Sequence, residues 1–224
     1  HAQQVRIGIV VEVAAFERIA EEWRRLGYPF EHLVPSLATS IGSSADRPAA
    51  LAELMGIVVN DGIRRPTIRV DELLFAANTP YETRLKRQPE AGERVMPVEV
   101  AMVTRRALLR VVNSGTARRL KDTYRDHEEK PLAVGGKTGT GDHRSKVIGS
   151  DGGVRSAKVM NRAATFAFYL GDRFYGVVTA FVPGSKAAGY DFTSALPVQI
   201  MKQMEPVLRP LVSDRPADEG KCKG

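Results

Sequence analysis

Amphipathic helices dominate the first half of the chain. Apolar residues recur at three- and four-residue steps over 16–26, and Gly27 stands where such a helix stops. A second helix is predicted to begin at Pro48, whose missing N–H costs nothing in a first turn, and to end at 60–62. A third is predicted over 97–113. The first of these helices has charged residues opposite its apolar stripe, which is typical of a helix packed on a core.

The second half has the pattern of an antiparallel sheet. Segments 132–140, 163–170 and 174–182 are predicted strands, the last two rich in Phe, Tyr, Val and Thr. Residues 171–173 join them as a tight turn, since Gly accepts a positive φ. A final helix is predicted within 193–204. Helices followed by antiparallel strands and a C-terminal helix predict the α+β class.

The remaining segments carry weaker patterns. Alternating apolar residues in the ambiguous N-terminal segment 1–12 are typical of a short strand. Segments 64–70 and 81–87 are predicted to be extended. The Gly-rich stretch after Gly141 is predicted to be a loop, and 209–224 a flexible tail because it is rich in Pro, Asp and Lys.

Composition excludes several classes of protein. With 224 residues and 43% hydrophobic residues the chain can form a core, and no apolar run reaches the length of a membrane span. Its single cysteine, Cys222, permits neither an internal disulfide nor a cysteine metal cluster. The 33 Lys and Arg exceed the 26 Asp and Glu by 7, which allows anionic partners without choosing among them. The Arg pairs lack interleaved aromatic residues, which favours solvated faces over a nucleic-acid interface.

Most catalytic templates do not fit. The four histidines are scattered, and the charged run 126–129 is predicted to be a solvated loop rather than a metal site, so neither metal nor cofactor is expected. Gly136, Lys137 and Thr138 match the end of a phosphate-binding P-loop, but Pro131 stands where that motif needs a Gly. No helix is predicted after the motif to hold the phosphates.

The segment Lys137-Thr138-Gly139-Thr140 is the best candidate site. Lys137 supplies a positive charge, and the hydroxyls of Thr138 and Thr140 can donate to a carboxylate. Gly139 lets a peptide backbone approach without a Cβ in the way, and a strand edge can pair with that peptide. A glycine-rich strand end with no ligand is the structural alternative.

Four collinear segments carry a family resemblance. The loop and helix 33–54, the segment 60–70, the Gly-Thr-Ala segment 111–117 and the hairpin 165–182 lie in order around Lys-Thr-Gly. Together they resemble the transpeptidase domain of class A, bifunctional penicillin-binding proteins, over 13–208.

The resemblance implies a penicillin-binding, β-lactamase-like fold. It also implies a D,D-transpeptidase that cross-links peptidoglycan stem peptides by acyl transfer and is acylated by β-lactams, on the extracytoplasmic face of the bacterial membrane. By position, Lys137 supplies charge near the cleft, whereas Thr138, Gly139 and Thr140 bind substrate. The backbone N–H of Thr140 is the implied oxyanion-hole donor.

The sequence departs from this family in one decisive respect. No serine has Lys three residues later or Asn two residues later, so the chain lacks the S-x-x-K nucleophile motif and the S-x-N motif. Both precede the matched part in the family. We therefore expect the chain to be the C-terminal part of a longer protein, inactive alone. Its expected partners are the missing N-terminal half, stem peptides and β-lactams; nucleic acid is not expected, and membrane contact is expected only through an upstream anchor.

Two other interpretations remain open at the level of sequence. The chain can be a non-catalytic module that binds wall peptides or proteins, or a relative of serine β-lactamases, which share Lys-Thr-Gly. A coding sequence upstream of His1 with S-x-x-K distinguishes the enzyme from the module.

Overall fold

The computed structural model describes residues 2–27, 33–35, 37, 39, 47–88, 90–148 and 153–213. Its helices are α1 (Ala2–Arg25), α2 (Pro48–Val59), α3 (Val98–Asn113), α4 (Ala195–Gln203) and α5 (Glu205–Ser213). Its strands are β1 (Ile63–Arg64), β2 (Glu72–Phe75), β3 (Thr83–Lys86), β4 (Glu93–Arg94), β5 (Val134–Ile148), β6 (Val154–Leu170) and β7 (Phe174–Pro183). Within the described residues no helix is long and apolar enough to cross a bilayer.

The main sheet has three antiparallel strands in the order β5-β6-β7. Lys137 is opposite Ala167 in the register of β5 and β6, and Phe166 is opposite Val178 in that of β6 and β7. Two small antiparallel pairs, β1 with β4 and β2 with β3, lie between α2 and α3 in the chain. The predicted α+β class is confirmed.

The core is built around both faces of β6. Phe166 and Leu170 pack with Val112 of α3 and Met201 of α4 in one buried cluster, and the intervening Tyr169 packs in a second. Met55 and Val58 of α2 and Leu108 of α3 complete that second cluster. Because successive side chains of a strand point to opposite faces, a strand covered on both sides has a continuous apolar run. This explains why 166–170 is buried without interruption.

The three predicted helices of the first half are confirmed. α2 begins at Pro48 and ends before Asn60, whose N–H donates to the carbonyl of Gly56. α3 begins directly after Pro97. Gly27 follows the end of α1 with a φ of 83°, a conformation that glycine adopts without a steric penalty.

The predicted N-terminal strand is wrong, because α1 runs from Ala2 through the whole segment 2–12. Val5, Ile9, Val13 and Phe16 recur at steps of four, four and three, so one helical stripe runs from this segment into the predicted helix. The alternation of 5, 7, 9 and 11 is a subset of a nearly continuous apolar stretch, which fits either period.

The predicted loop after Gly141 is also wrong. β5 continues to Ile148 and β6 begins at Val154, with bulges between His143 and Arg144 and between Val147 and Ile148. The long pairing is stabilised at its base by an ion pair across the two strands, between Asp142 and Arg162 at 3.1 Å. The sequence prediction ended β5 early because bulges break the strict alternation that marks a strand.

Smaller differences concern the hairpins and the C-terminus. Of the segment 64–70, which was predicted to be extended, only Arg64 belongs to a strand, β1, and the next strand begins at Glu72; β3 at Thr83–Lys86 falls within the predicted 81–87. The C-terminal helix is two helices, because Pro206 lacks an N–H and clashes with the preceding turn. Residues 209–213 of the predicted tail belong to α5, and 214–224 lie outside the described residues.

Candidate functional site

All four predicted site residues lie on β5, at one edge of the main sheet. Within the described residues, β5 pairs only with β6, so its other edge carries no strand. Lys137 is exposed, and its Nζ donates to the carbonyl oxygen of Thr138 at 2.5 Å. No carboxylate of the described residues forms an ion pair with it. The ammonium group therefore lies against the backbone of the open strand, where it is available to an anion.

Thr138 faces the interior and contacts the turn after α3. Thr138 is 7% exposed, and its Oγ1 lies 2.7 Å from Oγ1 of Thr116. Each hydroxyl has one proton, so when Thr116 donates to Thr138, the proton of Thr138 is not used in this pair. This contact with Thr116 fixes the orientation of the Thr138 side chain. The sequence singled out the Gly-Thr-Ala segment of Thr116 but gave no role to its hydroxyl.

Thr140 contacts the start of α4. Its Oγ1 accepts a hydrogen bond from the backbone N–H of Ser194 at 2.8 Å. The residue is exposed, so the hydroxyl proton and the second lone pair remain available. Thr138 and Thr140 are two residues apart and share one face of the strand. The two hydroxyls thus connect β5 to the turn after α3 and to α4, which fixes the strand at this point.

The glycines of β5 fall into two classes. A Cβ on Gly136 would lie 2.4 Å from the carbonyl oxygen of Ala167, and one on Gly135 would lie 2.3 Å from the ring of Tyr169. Those two glycines let β5 pack on β6. A Cβ on Gly139 or Gly141 would meet nothing within 4 Å. At Gly139 the missing side chain leaves open space beside the strand, which a bound chain can occupy.

Asp142 and His143 lie just beyond the motif. The ion pairs of Asp142 are made with arginine side chains and not with the residues of the motif. Asp142 forms ion pairs at 3.1 Å with Arg144 and with Arg162, whose Nε also donates to the carbonyl of Phe192. This carboxylate therefore stabilises the base of the long hairpin. The side chain of His143 lies outside the described residues. Among the side chains that are described, His, Cys, Asp and Glu form no group of three or more suited to a metal ion.

No protein-family model and no curated protein matches the chain. Solved structures of penicillin-binding proteins do match it. Penicillin-binding protein 3 from Mycobacterium tuberculosis in complex with aztreonam matches with a TM-score of 0.56 and 18% identity, over 89% of this chain and 48% of that one. Penicillin-binding protein 1A from Haemophilus influenzae matches with a TM-score of 0.57 and 19% identity, over 95% of this chain and 34% of that one.

A third similar structure is the imipenem acyl-enzyme complex of penicillin-binding protein A from M. tuberculosis, with a TM-score of 0.52 and 16% identity. It is covered over 41% of its length, so the chain spans less than half of each of these three proteins. The resemblance inferred from the sequence is confirmed at the level of the fold. The chain has the fold of part of a penicillin-binding protein transpeptidase domain.

Proposed function

We propose that the chain is the C-terminal part of a penicillin-binding D,D-transpeptidase domain and supplies its substrate-binding strand. The observation that carries this proposal is the position of Lys137-Thr138-Gly139-Thr140 on the open edge of β5, inside a fold shared with such domains. The proposed substrate is the carboxylate-terminated D-Ala-D-Ala end of a peptidoglycan stem peptide, and β-lactams are proposed to occupy the same strand.

The proposed division of roles follows from the chemistry of each group. Lys137 attracts the terminal carboxylate, and the hydroxyls of Thr138 and Thr140 donate to it. The open space at Gly139 admits the peptide as an added strand. The N–H of Thr140 is the proposed donor to the oxyanion that forms when the penultimate carbonyl is attacked.

The covalent step needs a nucleophile that this sequence does not contain, since no serine here belongs to an S-x-x-K motif. We propose that the nucleophile belongs to an N-terminal half that completes the domain on the extracytoplasmic face of the membrane. The chain alone then forms no acyl-enzyme. A fluorescent penicillin that stays attached to the purified chain after denaturation contradicts this part of the proposal.

The missing serine also favours a second candidate, a non-catalytic module that binds wall peptides. The two candidates share the strand and the carboxylate ligand. They differ in whether acylation appears when the chain is joined to an upstream segment with S-x-x-K.

Carboxylate recognition by β5 is tested by titrating the ¹⁵N-labelled chain with diacetyl-Lys-D-Ala-D-Ala and with its C-terminal carboxamide. We expect the carboxylate peptide to shift the resonances of 137–141 and to bind roughly tenfold more tightly, because a hydrogen bond to a charged group contributes about 1.5–3 kcal/mol. Lys137→Met should remove most of that difference.

Lys121→Met is the matched control, since it removes the same charge from an exposed residue that forms no ion pair with the described residues. Equal affinity for the two peptides, or an equal loss in both variants, contradicts carboxylate recognition by Lys137.

A further inference from the structure

The hairpin of β5 and β6 extends well past the third strand of the sheet. β7 pairs with β6 only from Asn161 to Leu170, whereas β5 and β6 pair with each other as far as Ile148 and Val154. The residues 144–148 and 153–160 therefore form a two-stranded ribbon beyond the pairing with β7, and at its base the N–H of Gly184, which directly follows β7, donates to the carbonyl of Met160. We call these residues the ribbon. It continues directly from the strand that carries Lys137, but it contributes nothing to the site described above.

The ribbon residues are basic. They include four Lys or Arg, namely Arg144, Lys146, Arg155 and Lys158, and no Asp or Glu, whereas Asp151 belongs to the connecting segment 149–152, which lies outside the described residues. Arg144 is paired with Asp142 at the base of the hairpin. Arg155 and Lys158 are exposed and form no ion pair with any described residue.

Apolar side chains are exposed between these cations. Val147 and Val154 are each 57% exposed, and Met160 is 42% exposed. An isolated two-stranded ribbon has no core in which to bury such groups, so their exposure persists in the folded chain. The ribbon thus presents apolar and cationic groups together over a short length of strand.

We propose that the ribbon docks on the surface of a bilayer that contains anionic phospholipids. Its cations contact the phosphate headgroups, while Val147, Val154 and Met160 enter the boundary between headgroups and acyl chains. Binding to such a surface grows with both the buried apolar area and the attraction to anionic lipid. A soluble polyanion complements the cations alone and leaves the three apolar side chains in water. The mixture of groups therefore favours a lipid surface.

This contact differs from the membrane contact expected from the sequence, which was confined to an upstream anchor. It does not depend on the proposed transpeptidase function.

Vesicle flotation of the purified chain tests the proposal. We expect the chain to float with vesicles of phosphatidylcholine mixed with phosphatidylglycerol and to bind vesicles of phosphatidylcholine alone far more weakly. The double variant R155Q/K158Q should lower the partition coefficient by roughly thirtyfold, since each surface cation contributes about a factor of five. V147S/V154S should lower it as well, because it removes the apolar part of the contact.

The control R65Q/R69Q removes the same charge from two exposed residues that form no ion pair with the described residues. It should leave the partition coefficient close to that of the wild type. All six positions lie on the surface, so thermal melts of the three variants should coincide with that of the wild type and exclude misfolding as the cause.

Three results overturn the proposal. The first is no binding to the anionic vesicles, and the second is an equal loss of binding in the control variant. The third is binding to soluble polyphosphate that matches vesicle binding and does not change in V147S/V154S. Concentration-dependent dimerisation that V147S/V154S abolishes, without vesicle binding, would assign the ribbon to a second copy of the chain instead.

Discussion

At the scale of single residues, Gly139 and Gly141 form a natural pair for comparison. They lie on the same strand, and a Cβ at either position meets nothing within 4 Å. Gly139→Ala should therefore leave the thermal melt nearly unchanged but weaken binding of the D-Ala-D-Ala peptide roughly tenfold or more, because the new methyl group occupies the space of the added strand. The NMR titration described above measures this loss.

Gly141→Ala adds the same methyl group one step beyond the motif and should change the affinity little. Gly136→Ala is the opposite control: its Cβ would lie 2.4 Å from a backbone oxygen, so it should destabilise the fold by about 1–3 kcal/mol. Equal affinities of the Gly139 and Gly141 variants for the peptide would place the ligand away from Gly139.

The sequence identified the residues of β5 but not the contacts that hold them. Lys137, Thr138, Gly139 and Thr140 could be selected because charge, hydroxyl and glycine occur together in one predicted strand. The hydroxyl pair with Thr116 depends on how the turn after α3 packs against β5, over a separation of 22 residues. Such long-range packing leaves no local pattern, so this part of the site could not be predicted from one sequence.

At the scale of secondary-structure elements, Tyr124 connects the loop before β5 to α4. Its side chain is 1% exposed, and its hydroxyl donates to the carbonyl of Met201 at 2.5 Å. Burial raises the pKa of this phenol, and the nearby Glu205 carboxylate raises it further. Because the folded-state pKa lies above the unfolded value of about 10, this stabilisation is fully present below pH 10 and is lost as the pH rises.

We therefore predict that the chain loses stability above about pH 10, partly through Tyr124. Tyr124→Phe should cost about 1–3 kcal/mol at neutral pH, since it leaves a buried carbonyl without its donor. The gap between wild type and variant should shrink as the pH rises beyond 10, because the variant has no phenol to ionise at that position. Urea unfolding at pH 7 and above pH 10 measures both effects.

Tyr81→Phe is the control, since Tyr81 is 81% exposed and its substitution should change stability at neither pH. If the gap between wild type and Tyr124→Phe is constant across this range, the phenol of Tyr124 does not contribute to the alkaline transition.

The predictions of secondary-structure elements succeeded where burial leaves a hydrophobic pattern in the sequence. The buried residues of α3 lie on one face, so its apolar stripe was visible in the sequence. α2 is buried continuously from Met55 to Val59, and its apolar run together with Pro48 marked it as a helix. The outer half of the β5–β6 hairpin has no such cover, so its strands lack a hydrophobic alternation. The first turns of α1 are similar: Val5 and Ile9 are 51% and 56% exposed, so no buried face selects one period over another.

At the scale of the whole molecule, packing is uneven. The core surrounds β6, but two parts of the structure contribute little to it. The first is the start of α1, where every apolar side chain from Val5 to Val11 is more than half exposed. The second is the hairpin of β2 and β3, in which every residue is exposed. β7, at the far edge of the main sheet, pairs only with β6 among the described residues. Open edges and uncovered apolar faces of this kind are regions of low local stability.

We predict from this unevenness that the isolated chain unfolds in more than one step. α1 and the β2–β3 hairpin should exchange their amide hydrogens quickly, whereas 166–170 of β6 should be the most protected segment because it is buried on both faces. In calorimetry the van't Hoff enthalpy should fall below the calorimetric enthalpy, since the peripheral elements melt before the core. A single steep transition in which circular dichroism, calorimetry and hydrogen exchange coincide would show that the chain is a complete cooperative unit. That result would also count against the proposal that a missing N-terminal half covers these surfaces, because a fold that melts cooperatively does not need a further segment to stabilise it.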